Sequence, residues 1–341
     1  MLACLALLFP PLAARAASGA ERRAFATAQT LFNDNLWDLA EKEFANYVKR
    51  YPDSDRREEA VLFQAQARFR QTNYVGVIEL LQAQLAFAGP LADEYRFWMG
   101  EAYFQSKQYP AAAAAYAMVP RENPKSRRRL EASYGEAFCR FQYGEYSRVI
   151  SLLGEPNGDF QQLTRNKPND DITVQGYLLL GQTLLKQKDY KGGEQALRRL
   201  NADQLKPELA WRRQYWLCQL QLADGRPQEA LAGATNLVAL AEAAQQKTMM
   251  ADSVALLAGI HEQLGRLEEA VSDYEKNLED IATPEQRRQA LLKVIELNLA
   301  RNQVPLAIQK LEDFSAKFPA DTNQDLVQLT LGELKLKQHC A

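Results

Sequence analysis

Histidine is almost missing from this chain of 341 residues: only His261 and His339 occur. Two imidazoles so far apart exclude a histidine-rich catalytic zinc site. An excess of either charge is missing too. The formal net charge is −2, so the overall balance gives no reason to expect nucleic acid as a ligand. Cysteine is sparse. Cys4, Cys139, Cys218 and Cys340 are widely spaced and form no Cys-x-x-Cys pair, which supports neither a disulfide framework nor a metal site. No apolar run reaches the roughly 20 residues that a membrane-spanning helix needs. A glycine-rich phosphate loop, a Gly-x-Ser-x-Gly elbow and a His-Glu-x-x-His pair are all absent. These gaps predict a protein with no cofactor, no metal and no catalytic residues.

What is present suits a folded protein: 47% of the residues are hydrophobic and 25% charged. Residues 2–12 form a short apolar run broken by Pro10 and Pro11, followed by Ala14-Arg15-Ala16. A short hydrophobic core ahead of a small-x-small triplet predicts a signal peptide over residues 1–16, cut after Ala16, and hence export. No Lys or Arg precedes the run, which leaves the position of the true start open. Cys4 stands before most of the apolar run, whereas a lipidated cysteine follows it, so lipidation is not expected.

The strongest signal is internal repetition. Trp37, Ala40, Phe44 and Pro52 recur as Tyr109, Ala112, Tyr116 and Pro124, a period of about 72 residues that halves to about 36. The same offset carries Arg68-Phe69 to Arg140-Phe141 and Val77-Ile78 to Val149-Ile150. Small residues mark one position of each unit at Ala28, Ala65, Gly100, Ala137, Gly181, Cys218 and Ala258. A second position is Ala40, Val77, Ala112, Val149, Gly193, Ala230, Ala270 and Ala307. Two helices crossing at the low end of about 8–10 Å require side chains of that size at the contact. Pro52, Pro124 and Pro319 are expected to stop their helices by removing an amide donor.

These residues, with Leu180-Gly181-x-x-Leu184-x5-Tyr190 and Gly100-x-x-Tyr103-x5-Tyr109-x-x-Ala112-x3-Tyr116, resemble the tetratricopeptide repeat, a helix–turn–helix unit of about 34 residues. The resemblance covers nearly everything after Glu21. It implies an all-α fold, a right-handed α-solenoid of about eight hairpins plus a final helix at residues 325–337. The expected organisation is a first array over 17–153, an inserted loop at 154–172, rich in turn residues, and a second array over 173–341. Ile295 departs from the small-residue rule. The final helix reads either as a cap or as the front of a further repeat in a longer protein.

Several polar clusters read as structural. His261 occupies a position where the pattern places a buried aromatic. Glu58-Glu59, Glu268-Glu269 and Asp170-Asp171 fall on solvated faces or turns. Arg121, Lys125, Arg127, Arg128 and Arg129 form a basic run beside Pro124, flanked by Glu122 and Glu131, and read as a solvated loop. Cys139 and Cys218 fall in amphipathic stretches, where a thiol acts as a small hydrophobe.

Function is expected on the first helices, which line the extended binding surface of such arrays. Positions sharing one face carry Phe25 and Phe32, Leu62 and Phe69, Phe97 and Phe104, then Tyr134 and Phe141. Between them stand Gln29, Gln66, Glu101 and Phe138; the second half continues with Gln182, Tyr215 and Gln219. Amides can donate to and accept from a partner backbone while rings cover its apolar side chains. The same rings could instead form the solenoid wall. Ala-x3-Phe-x7-Pro-Asp-Ser, as at residues 40–54, is similar to the bacterial envelope branch of the family. That likeness implies a periplasmic, non-catalytic adaptor for a protein or peptide, reaching a membrane only through its partners. The alternatives are the solenoid arm of a longer envelope enzyme or export component, and a cytosolic scaffold if no leader is cut.

Overall fold

The computed structural model describes residues 18–168 and 170–340. The expected signal peptide lies outside the described residues. Helices account for the secondary structure, and no strand occurs among the described residues. Two compact units divide between Gly144 and Glu145. That division falls ahead of the expected 153/154 boundary, because the helix following Glu145 packs within the second unit.

In the first unit α1 (Gly19–Asn33) pairs with α2 (Trp37–Arg50), α3 (Arg57–Arg70) with α4 (Tyr74–Gln84), and α5 (Ala92–Gln105) with α6 (Tyr109–Glu122). Helix α7 (Arg129–Gln142) closes the unit against α6. The start of α1 is set by a capping box: the Ser18 hydroxyl accepts from the Glu21 amide, and the Glu21 carboxylate accepts from the Ser18 amide. Turns between paired helices share one device. Asn35, Thr72 and Lys107 each take a left-handed φ near +60°. The next amide then reaches back into the first helix, as from Asn73 to the Arg68 carbonyl at 3.0 Å. This closes the helix and reverses the chain.

The small positions do what the repetition requires. Ala28, Ala40, Ala65, Ala112 and Ala137 have no exposed surface. A methyl on Gly100 would stand 2.7 Å from the Tyr116 ring, and one on Gly135 2.9 Å from the same ring. Tyr116 is therefore clamped between glycines on α5 and α7. Gly100→Ala is expected to cost about 1–3 kcal/mol through overpacking, read as a lower urea midpoint, because the ring has no free side to move toward.

The second unit begins with α8 (Tyr146–Gly154), α9 (Asp159–Thr164), α10 (Asp171–Lys186) and α11 (Tyr190–Arg198). It continues as α12 (Pro207–Ala223) with α13 (Pro227–Ala243), α14 (Lys247–Gln263) with α15 (Leu267–Lys276), α16 (Pro284–Ala300) with α17 (Val304–Lys317), and then α18 (Gln324–Cys340). Gly181, Gly193, Ala230, Ala258, Ala270 and Ala307 are all buried at its crossings. Ile295 is buried too, 5% exposed, in the cluster that α16 and α17 form with α18. The final helix turns Val327 and Leu334 into that cluster and leaves Leu329 and Leu336 exposed.

The expected surface loop at 154–172 is corrected by the structure. It contains α9, whose Phe160 has no exposed surface. The ring fills a socket on α10 left by Gly176, where a methyl would come within 2.3 Å of it. The Thr164 hydroxyl bonds back to the Phe160 carbonyl at 2.8 Å, and Gln161 donates to the Leu153 carbonyl. Gly154, Pro156, Asn157 and Gly158 mark the turn correctly but hide the single hydrophobic anchor behind them. Asp170 N-caps α10, accepting from the Ile172 amide at 3.1 Å.

Candidate functional site

In the first unit, first helices lie side by side. Phe69 on α3 meets Trp98 on α5 edge-on at 5.3 Å, and Phe104 on α5 meets Phe138 on α7 at 5.7 Å. Both geometries are the favoured T-shape for ring pairs. The expected stripe thus splits in two. Phe25 is wholly buried, packed edge-on against Phe44 at 5.5 Å and against Tyr47 at 5.2 Å, so it belongs to the wall and cannot touch a partner. Leu62 and Phe97, 9% and 7% exposed, join it there. Phe97 leans on Tyr116 and carries the Arg128 guanidinium over its face. The physical reason is the interlock of hairpins: that position faces the second helix of its own unit rather than the open side.

The remainder stays at the surface. Gln29, Phe32, Gln66, Phe69, Phe104, Tyr134, Phe138 and Phe141 are half-buried, each keeping part of its side chain open. Glu101 is half-buried but committed. It accepts from the Tyr116 hydroxyl at 2.6 Å, and burial raises its pKa above the usual carboxylate value, an effect that bond opposes. In the second unit Gln182 is half-buried on α10. On α12, Tyr215 stacks on Trp211 at 5.0 Å and its hydroxyl accepts from Gln219 at 3.0 Å.

A feature of the surface that sequence reasoning passed over is a groove of about 620 Å³ floored by alanines of α6. Met99 and Tyr103 of α5 form one wall, and Arg96, Arg121 and Arg140 rim it. Arg96 is paired with Glu122 at 3.2 Å and Arg140 with Glu136 at 2.8 Å. The only trace in sequence is Ala111-Ala112-Ala113-Ala114-Ala115, which reads equally well as tight packing. Arg128 leaves the basic run to bind Glu94 at 3.1 Å, so that run is partly structural rather than a free loop.

The polar groups set aside as structural are engaged with neighbours. His261 Nδ1 lies 2.8 Å from Asp273 Oδ2, whose other oxygen takes Lys276 at 2.6 Å. Cys139 and Cys218 have no exposed surface, and burial pushes their thiols up to about 12 and about 11, so neither is a thiolate near neutrality. Among the described residues no cluster of three or more His, Cys, Asp or Glu is arranged to hold a metal ion. No helix among them is long and apolar enough to cross a membrane.

Models of the tetratricopeptide repeat match residues 64–127 and 251–279. No curated protein sequence matches the chain. Among solved structures it is similar to a tetratricopeptide repeat protein from Parabacteroides merdae, at 13% identity and a TM-score of 0.50, covering 82% of this chain and 100% of that one. It is also similar to the C-terminal part of a TPR repeat-containing protein from Cytophaga hutchinsonii, at 14% identity and a TM-score of 0.59, covering 77% and 97%. At such identities the likeness speaks for the fold. With glycine- and alanine-sized residues at the helix crossings and a matched segment in each unit, the chain carries tetratricopeptide repeats in both units.

Proposed function

We propose that this protein is a non-catalytic docking scaffold that holds a peptide or protein segment along the first-helix face of its repeats. The observation that carries this reading is the row of half-open rings and amides in the first unit. Gln29 and Gln66 stand among Phe32, Phe69, Phe104 and Phe138. The rings are fixed by their neighbours, so they offer apolar area at little entropic cost. Amides between them can bond a partner's backbone in both senses. The packed core beneath needs none of these amides, which separates binding from stability.

The apolar run at residues 2–12 and Ala14-Arg15-Ala16 support export, and with it work in the bacterial periplasm as an assembly adaptor of the cell envelope. N-terminal sequencing of protein from the periplasmic fraction should begin at Ala17; full-length protein in the cytosol would overturn this part of the reading. For the surface itself, a photo-crosslinker placed at Gln29 or Gln66 should capture one defined partner in the envelope, whereas the same group at the exposed Glu79 of α4 should not. Gln29→Ala with Gln66→Ala should weaken that partner by about tenfold or more, equal to about 1.4 kcal/mol, with the thermal midpoint unchanged. An affinity untouched by the double substitution would place the binding surface elsewhere.

A further inference from the structure

Inserted helix α9 does more than cover the core. Between α8, α9, α10 and α11 lies a cavity of about 290 Å³, at the lower end of the about 300–1,000 Å³ usual for ligand sites. Ile150, Leu180 and Leu184 supply apolar wall. At one end stands Arg199. Its Nη1 donates to Gln161 Oε1 at 2.6 Å and to the Tyr177 hydroxyl at 3.3 Å. Tyr177 itself donates to the same Gln161 oxygen at 3.1 Å, and Gln161 is anchored by its amide nitrogen on the Leu153 carbonyl. Gln161 and Tyr177 are each 8% exposed. A guanidinium is thus held in place by two buried groups that carry no charge.

Several arginines that tie helices together here are built differently, although Arg212 on Gln175 and Arg213 on the Leu197 carbonyl also bond neutral groups. Arg68 has Glu41, Arg128 has Glu94, Arg226 has Glu194 and Arg287 has Asp321. Each cancels its charge on a carboxylate of the chain, whereas the groups that fix Arg199 leave its charge uncancelled. Nη1 is spent, and Nε and Nη2 keep donors in the fork geometry that matches a carboxylate. Gln161 belongs to the insertion, so no regular hairpin of the array provides this support.

We propose that this cavity binds a monocarboxylate with a short hydrocarbon tail. The carboxylate pairs with Arg199, and the tail lies on Ile150, Leu180 and Leu184. Glu155 lines the same cavity, and its negative charge selects against a second negative charge, hence against phosphates and dicarboxylates. The carboxylate could come from a free organic acid or from the last residue of a peptide; the chemistry is shared. The site is separate from the partner surface of the first unit, and either can fail without the other.

Isothermal titration of the full chain separates the sources. The probes are 4-methylpentanoate, a tripeptide ending in leucine, and the same tripeptide with an amidated end. Binding of the free acid or of the free-ended peptide, with none of the amidated one, is the expected result; which of the two binds names the source. Arg199→Gln should weaken that binding by at least about tenfold, and Arg199→Lys, which keeps the charge and loses the fork, should fall between. Glu155→Gln should admit succinate, which the natural chain rejects. Circular dichroism checks that each variant folds. Equal binding of the amidated peptide, unchanged binding by Arg199→Gln, or no heat from either free carboxylate at millimolar concentration would overturn the proposal.

Discussion

Phe25→Ala is expected to destabilise the first unit by about 3–5 kcal/mol, the usual cost of deleting a buried ring. Phe25 has no exposed surface and sits among three other rings: Phe44 at 5.5 Å, Tyr47 at 5.2 Å and Phe63 at 6.2 Å. Phe44 and Phe63 are stacked on each other at 5.2 Å, which keeps them from closing into the space. The Arg56 guanidinium covers the Phe25 ring at 3.4 Å and would lose its cation–π partner as well. Because each hairpin leans only on its neighbours, the damage should be local. Amide hydrogen exchange should accelerate in α1 to α3 and remain near its natural rate in α14 to α17. If α1 to α3 keep their protection, Phe25 contributes far less to the wall than its burial implies.

Asp321→Asn should also be costly in the second unit, about 2–4 kcal/mol at neutral pH, because it leaves a mostly covered guanidinium without its counter-charge. Asp321 has a side chain 1% exposed, and that of Arg287 is 14% exposed. The Arg287 Nε and Nη2 reach one carboxylate oxygen at 3.1 and 3.0 Å, and the Asn323 amide reaches the other at 3.0 Å. Arg287 also caps the Ala282 carbonyl at 2.8 Å and lies over the Phe318 ring at 4.8 Å, so one group joins α16 to the segment between α17 and α18. Burial works against the ionised acid, but these hydrogen bonds and the neighbouring charge outweigh it and hold the pKa below the usual aspartate value. A carboxyl depressed in the folded state stabilises fully above its unfolded pKa, near 3.9. That stability is lost as the pH falls from there through the folded value. The gap in urea midpoint between the natural chain and Asp321→Asn should therefore be constant from pH 7 to 5 and shrink below about pH 4. A gap that persists at pH 2 would show that shape, not charge, is what Asp321 supplies.

Some of this structure was legible because it is local. Ala40, Ala112 and Ala270 each mark a crossing whose partner lies within the same hairpin, so one chain segment carries both sides of the contact. Pro52, Pro124 and Pro319 follow α2, α6 and α17 within two residues, where the missing amide prevents the helix from continuing, although α6 accommodates Pro120 in its last turn. The turns were less visible. Asn35 suits a left-handed conformation, but Thr72, Lys107 and Lys188 adopt it as well, because the helix-closing bonds of the hairpin demand it regardless of residue type.

Repetition alone therefore determined the paired helices of the hairpins and the type of repeat, since each depends on spacings of about one repeat or less. Tertiary structure decided which apolar face is wall and which is open. A first helix buries one side against its own partner and another against the next unit, so rings cover most of its circumference and Phe25 looks no different from Phe69 in sequence. It also decided the fate of the insertion, where Phe160 needs a socket at Gly176 and Gln161 holds Arg199. Those pairings join α9 to α10 and to the residue just past α11, a meeting set by packing, and no periodicity along the chain encodes them.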